Sequence, residues 1–417
     1  MFPEIAMPTP RDRQARVATW AAFFVQGLCF ATLLTHVIDL QHRFGLSDGD
    51  LTLVLLLVPV ISGVGSAVAA PLASRYGSAP VLRISQIGVC TAVILLGWND
   101  GLTGLYALSA VFGLFVGAVD AAMNMQAVAV ERRYGMSVLT GFHAVWSVGS
   151  MLGAGANSAF SALGVPLGWS FSVPVMIGAL ISVVLLPRLY RRDEEGVETP
   201  LEAVTSRSPW RPIIPLCLAM AFLYVGDAAV SNYGTVYMEK ALAASGWLVP
   251  FGYLVYQAAM LLARVPGDLA VRRYGPAPVV RAGAVIAAAG MLGLVLAPGV
   301  VVAVVSFGLV GIGLSVIAPQ SFSAAGRLGS GAETAIARVN LFNYVGFLVG
   351  AAVVGTLNDT VDIRVAFVPA AVLVGLIVFL ARGFRPDPEP ARKSTFAPGP
   401  APDPTPEPAP REPGARP

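Results

Sequence analysis

The sequence predicts an all-α membrane protein of twelve transmembrane helices arranged as two six-helix halves. Three observations predict it. Of 417 residues only 12% are charged while 56% are hydrophobic, and a soluble domain carries roughly 25% charge, so too little polar surface exists to cover the chain in water. Apolar runs of about 20 residues, the length that crosses a bilayer, recur from Val17 to Leu380. A nine-residue segment of the first half returns in the second at the same place in the order of runs.

The elements follow in order. The first span, 17–39, comes after Arg11, Arg13 and Arg16; its apolar run is too long for a removable signal and has no convincing small-residue cleavage site, so it is retained. Spans at 50–73 and 80–98 flank the turn Arg75-Tyr76-Gly77, and spans at 102–128, 138–163 and 167–187 complete the first bundle, residues 17–187. The polar stretch 188–210 is a linker. Spans at 211–238, 247–270, 277–297, 300–325, 333–357 and 362–381 form the second bundle, 211–382. The Pro-rich tail, 383–417, has no hydrophobic periodicity and predicts disorder.

The segment Arg75-Tyr-Gly-Ser-Ala-Pro-Val-Leu-Arg83 recurs as Arg273-Tyr-Gly-Pro-Ala-Pro-Val-Val-Arg281, seven of nine residues identical, after the second span of each half. Such a duplication marks one large class of transporters. Basic residues sort by connection. Those expected inside hold Arg75, Arg132, Arg133, Arg188, Arg191, Arg192, Arg207, Arg272, Arg273 and Arg327, while those outside hold Arg43, Lys240 and Arg364. Positive charge stays inside, which predicts a multi-pass protein of a bacterial inner membrane with residues 1–16 and the tail both cytoplasmic.

Other classes find no support. The basic residues lack aromatic interleaving, against nucleic-acid binding, and Cys29, Cys90 and Cys217 are too few and too far apart in sequence for a disulfide framework or metal spacing. No Walker motif, metal cluster or nucleophile constellation is present, so neither an enzyme, a cofactor nor an ATP-driven engine is expected. The partners expected of a monomer are a small-molecule solute, protons and the bilayer.

Twelve spans, the six-plus-six duplication, the central linker and the Arg-Tyr-Gly turn resemble the major facilitator superfamily over about residues 17–382. Leu72, Arg75 and Gly77 match the family turn Gly-x-Leu-x-Asp-Arg-x-Gly, but Ser74 replaces its Asp. The resemblance implies that this Asp helps close a cytoplasmic gate, so either Glu131 substitutes for it or the gate is latched differently. Val130-Glu-Arg-Arg-Tyr-Gly, Gly141-Phe-His-Ala and Asp227-Ala-Ala are similar to a bacterial sugar-permease-like branch with few assigned substrates. That branch carries a second acidic residue and a Trp where this chain has Asn232 and Tyr233. The Arg that marks many drug exporters on the fourth helix has no counterpart.

Polar residues inside spans are the candidate site, because a charge at a helix centre costs about 2.5–3.5 kcal/mol on insertion scales. Asp227, with Tyr224 and Ser231 on one side of the seventh span, is a substrate acceptor or coupling site. Asp120 and Asn124 share a face of the fourth span. His143 opens the fifth, and counting residues from the helix ends brings it within reach of both; it either carries a coupled proton or makes a structural hydrogen bond. Asn340 and Asn343 lie with Arg338 at the start of the eleventh span, where Arg338 either binds an anionic group or, the favoured reading, pairs with Glu333 or Glu131 as a latch. Gln26, Gln257 and Gln320 are further substrate candidates, and Arg75, Gly77, Glu131 and Arg338 are gate candidates. Tyr253, Tyr256 and Trp146 form a stacking wall or ordinary packing. The reading is secondary active transport by alternating access; efflux of a hydrophobic drug and a non-transporting receptor or scaffold are its alternatives.

Overall fold

A computed structural model describes residues 8–195, 210–244, 248–328 and 331–385. Most of the linker and the tail expected to be disordered lie outside these residues. In the first half the spans are Pro10–Thr35, Asp48–Tyr76, Ser78–Trp98, Leu102–Tyr134, Leu139–Ala162 and Leu167–Leu185; in the second they are Trp210–Leu242, Leu248–Tyr274, Pro276–Leu296, Val300–Gly326, Ala332–Thr360 and Ile363–Phe384. Among the described residues eleven helices are long and apolar enough to cross a membrane. The remaining one, Leu139–Ala162, has the length but is diluted by Gly141, His143, Ser147, Gly149, Ser150, Gly153 and Gly155.

Both halves use the same pairings: first with fifth, second with fourth and third with sixth span, repeated as seventh with eleventh, eighth with tenth and ninth with twelfth. Small residues permit the close approaches. A Cβ on Gly117 would stand 1.8 Å from the Ser62 carbonyl oxygen, and one on Gly346 would stand 2.3 Å from that of Ala221. The repeated turn is alike in conformation as well as sequence. Gly77 and Gly275 have φ of +88° and +83°, a region that side chains with a Cβ disfavour.

Helix ends differ from expectation where polar residues extend them. The first span begins at Pro10 because Thr9 and Asp12 form a capping box, and its arginines join the helix, Arg16 stacking on the rings of Trp20 and Tyr134. After Thr35 a short helix, Val37–Phe44, follows and stops at Gly45. The tenth span breaks at Ser315 and Val316, between Val300–Leu314 and Ile317–Gly326. Cys29 and Cys90, distant in sequence, meet in space with sulfurs 3.8 Å apart, well beyond a disulfide bond.

One end of the bundle, here the basic face, gathers the arginine-rich connections. Arg11 grips Glu194 through two bonds of 2.7 and 2.5 Å, Arg192 donates to the Ser74 carbonyl, and Arg327 to that of Phe384. Beneath them Glu195 accepts from the Ser78 amide at 3.1 Å and from Gln126 Nε2 at 2.9 Å. The first residues of the linker are thus docked on the first half. Large apolar side chains such as Leu180, Leu296, Val301 and Phe379 cover the sides, the surface that faces hydrocarbon in a membrane.

Candidate functional site between the halves

Asp120, half-buried on the fourth span, is held from both halves. Gln26 Nε2, on the first span, donates to its Oδ1 at 3.0 Å, and the Tyr344 hydroxyl, on the eleventh, donates to its Oδ2 at 2.5 Å. Gln26 is oriented in turn by Trp146 Nε1, which donates to its Oε1 at 2.5 Å. Asn124 donates back to the Asp120 carbonyl at 2.8 Å. The i, i+4 spacing therefore makes a bond within the helix rather than two contacts to a solute.

Asp227 stands across from this group on the seventh span. It accepts from the Tyr256 hydroxyl, with Ser231 as a second side-chain partner. Gln257 donates to the Tyr253 hydroxyl at 2.9 Å, and the Tyr253 and Tyr256 rings lie 6.1 Å apart. The two tyrosines of the eighth span are thus neighbours with engaged hydroxyls, while Trp146 lies against Phe30. Tyr224 lies within electrostatic reach of Asp120 and Asp227 alike, so the two carboxylates belong to one polar region.

A residue that sequence reasoning missed completes it. Arg264, half-buried on the eighth span, donates through Nη1 to Ser147 Oγ at 2.6 Å and to the His143 carbonyl at 3.3 Å, both on the fifth. Its signal was available: a lone Arg in Met260-Leu-Leu-Ala-Arg264-Val-Pro carries the same insertion cost as the acidic residues. Tyr344 was missed too, although it follows Asn340 by one turn.

His143 does not meet Asp120 or Asn124 by any hydrogen bond among the described residues. Its ring packs between Phe23, at 5.2 Å, and Phe322, at 6.1 Å. The fourth span runs to Tyr134 rather than 128. Asn340 donates to Ser66 Oγ at 3.0 Å, tying the eleventh span to the second, whereas Asn343 is half-buried beside it. Gln320 is fully buried, and neither amide atom has a hydrogen-bond partner among the described residues.

The gate candidates separate. Arg75 stacks on its neighbour Tyr76, Gly77 lets the Arg192 side chain cross the turn, and Arg338 lies 4.3 Å over the Trp210 ring. Glu131 lies at a seam between the halves. It accepts from the Val138 and Leu139 amides at 3.0 and 3.2 Å and from Ser323 of the other half. Asp268, from the eighth span, continues the pattern: Thr140 N donates to it at 3.1 Å, Gly141 N at 2.8 Å and Ser137 Oγ at 2.8 Å. Four consecutive amides that a helix start leaves without partners are thus covered by two carboxylates, one from each half. Arg272 adds bonds to the Ser137 carbonyl at 2.9 and 2.6 Å, and Arg132 reaches that of Gly326. In the equivalent seam of the repeat, the eleventh span starts at Gly331 without a side-chain cap.

Known proteins resemble this chain in sequence and fold. An uncharacterized MFS-type transporter of Yersinia pestis is 31% identical over 374 residues, covering 88% of this chain and 95% of that protein. The Escherichia coli fucose:proton symporter FucP shares the fold with a TM-score of 0.74 at 14% identity, over 88% of this chain and 98% of that one. The human organic anion transporter MFSD10 does so with 0.72 at 14%, over 89% and 100%. The family model described as Major Facilitator Superfamily matches residues 19–330 and 216–410. With its duplicated six-helix halves and polar midplane, the chain belongs to the Major Facilitator Superfamily.

Proposed function

We propose that the chain is a proton-coupled secondary transporter that moves a small polar solute across the bacterial inner membrane by alternating access. The basic face is cytoplasmic in this reading, in keeping with the positive-inside bias. The arrangement of bonds at that face, with Asp268, Glu131, Arg132 and Arg272 all reaching across, is that of a carrier closed toward the cytoplasm. The protein acts as a monomer.

The observation that carries the coupling is Asp120, which accepts one hydrogen bond from each half. A carboxylate placed so links proton binding to the separation of the halves, because the Tyr344 bond exists only while they are in contact at this level. Asp227, bonded within its own half to Tyr256, is the second coupling candidate. FucP, a fucose:proton symporter, and another protein of similar fold, the proton:xylose symporter XylE, favour a solute of monosaccharide size.

The test is uptake into proteoliposomes of labelled fucose, xylose, gluconate and glucuronate under an imposed pH gradient. Asp120→Asn is expected to abolish accumulation against a concentration gradient while leaving counterflow exchange intact. Unchanged gradient-driven accumulation in that variant would refute the coupling assignment.

A further inference from the structure

The unspent edge of Arg264 narrows the solute. A guanidinium has five N–H donors in a planar fork. In Arg264 the two of Nη1 go to Ser147 Oγ and the His143 carbonyl. Among the described residues Nε has no partner although it is buried, and Nη2 donates to none. The free pair, Nε and Nη2, is one of the edges that a carboxylate bridges with two parallel bonds.

The neighbouring carboxylates do not occupy that edge. Asp120 is bonded by Gln26 and Tyr344, and Asp227 by Tyr256. The ion pairs within 4.0 Å among the described residues are Arg11 with Glu194 and Arg43 with Asp100, both remote from this region. A cation kept in the middle of a membrane-spanning helix carries a solvation cost that a bound anion relieves. The polar groups near it include the hydroxyls of Ser147, Tyr224 and Tyr256 and, among the described residues, an unpartnered imidazole nitrogen, His143 Nε2, suited to the hydroxyl groups of a solute.

We propose that Arg264 anchors the carboxylate of the transported solute, which is therefore a small hydroxylated organic acid such as an aldonic or uronic acid. The assignment rests on the transport reading and adds the substrate class. Position strengthens it. Arg264 belongs to the eighth span but is bonded to the fifth, so a ligand on its free edge is held where the two halves meet.

The experiment uses the purified full-length protein and matched pairs of probes, glucose with gluconate and galactose with galacturonate, read by thermal shift and equilibrium binding. The acid of each pair should raise the midpoint of unfolding of the wild-type protein and bind more tightly than its neutral partner. Arg264→Gln should weaken acid binding on the order of 100-fold, while Arg264→Lys, which keeps the charge and loses the fork, should restore part of it. Ligand-free thermal scans and gel filtration verify that both variants fold. Equal binding of neutral and acid members, acid affinity retained in Arg264→Gln, or no response to any acid would each overturn the proposal. Flux in proteoliposomes separates it from the broader reading. A neutral sugar carried alike by wild type and Arg264→Gln overturns the anion site and leaves transport standing, whereas acid binding lost in that variant without any wild-type flux sustains the site and overturns transport.

Discussion

Replacing Asp268 by Ala tests whether the two halves are latched through a helix start. In the structure this carboxylate receives the amides of Thr140 and Gly141 and the hydroxyl of Ser137. Hydrogen bonds to charged groups are worth about 1.5–3 kcal/mol each. Water entering from the basic face replaces part of that, so we count only the two amides at the lower value, about 3 kcal/mol in all. Because Asp268 and the fifth span lie in different halves, the whole amount stabilises the closed arrangement relative to the open one, and its loss shifts that equilibrium by about 100-fold. A cysteine at Val128 reports the shift, since this side chain is 3% exposed and packs against Gly326 of the other half. In a background with Cys29, Cys90 and Cys217 replaced by Ala, maleimide labelling of Val128→Cys should accelerate by one to two orders of magnitude when Asp268→Ala is added. An unchanged labelling rate in a folded double variant refutes the latch.

Two further outcomes are expected. Gly117→Ala forces a Cβ against the Ser62 carbonyl, which stands 1.8 Å from where it would lie; it should destabilise by about 1–3 kcal/mol, whereas Gly101→Ala, with open space around it, should leave the thermal midpoint unchanged. Burial, partly offset by the Ser78 and Ala79 donors, pushes the Glu195 carboxyl up to about 7 from an ordinary 4.5. The folded protein then holds more protons than the unfolded one between these values, so stability falls as pH rises through that window, and Glu195→Gln should flatten the fall in thermal scans from pH 5 to 8.

Spans and duplication were legible because hydropathy and repeated turns are local properties of a chain. The Arg-Tyr-Gly repeat predicted two equivalent turns, and Gly77 and Gly275 share one conformation. Asp120 and Asp227 were legible for the same reason, since a carboxylate among apolar neighbours announces its cost. What the carboxylates touch was not. Tyr344 reaches Asp120 from a span more than two hundred residues away, and no spacing rule encodes that meeting. The ring neighbours of His143, Phe23 and Phe322, come from two other spans, and no spacing rule encodes those contacts either. Asp268 sits in the second copy of the turn region, opposite Ala70 in the first, so its role depends on which helix start lies across the seam.

The weakly apolar fifth span also bears on how the protein is made. A helix in which Gly, Ser and His replace so many aliphatic residues has little intrinsic drive to leave the translocon for lipid. Its membrane position is secured by its surroundings: Arg132 and Arg133 precede it, Arg188 ends the helix that follows, and Gly149 and Gly153 seat it on backbone atoms of the first span. During synthesis its commitment therefore depends on the first span already being in place. Changes that spoil the Gly149 contact with Phe24 should first show as misinserted chains degraded by quality control, before any effect on transport is seen.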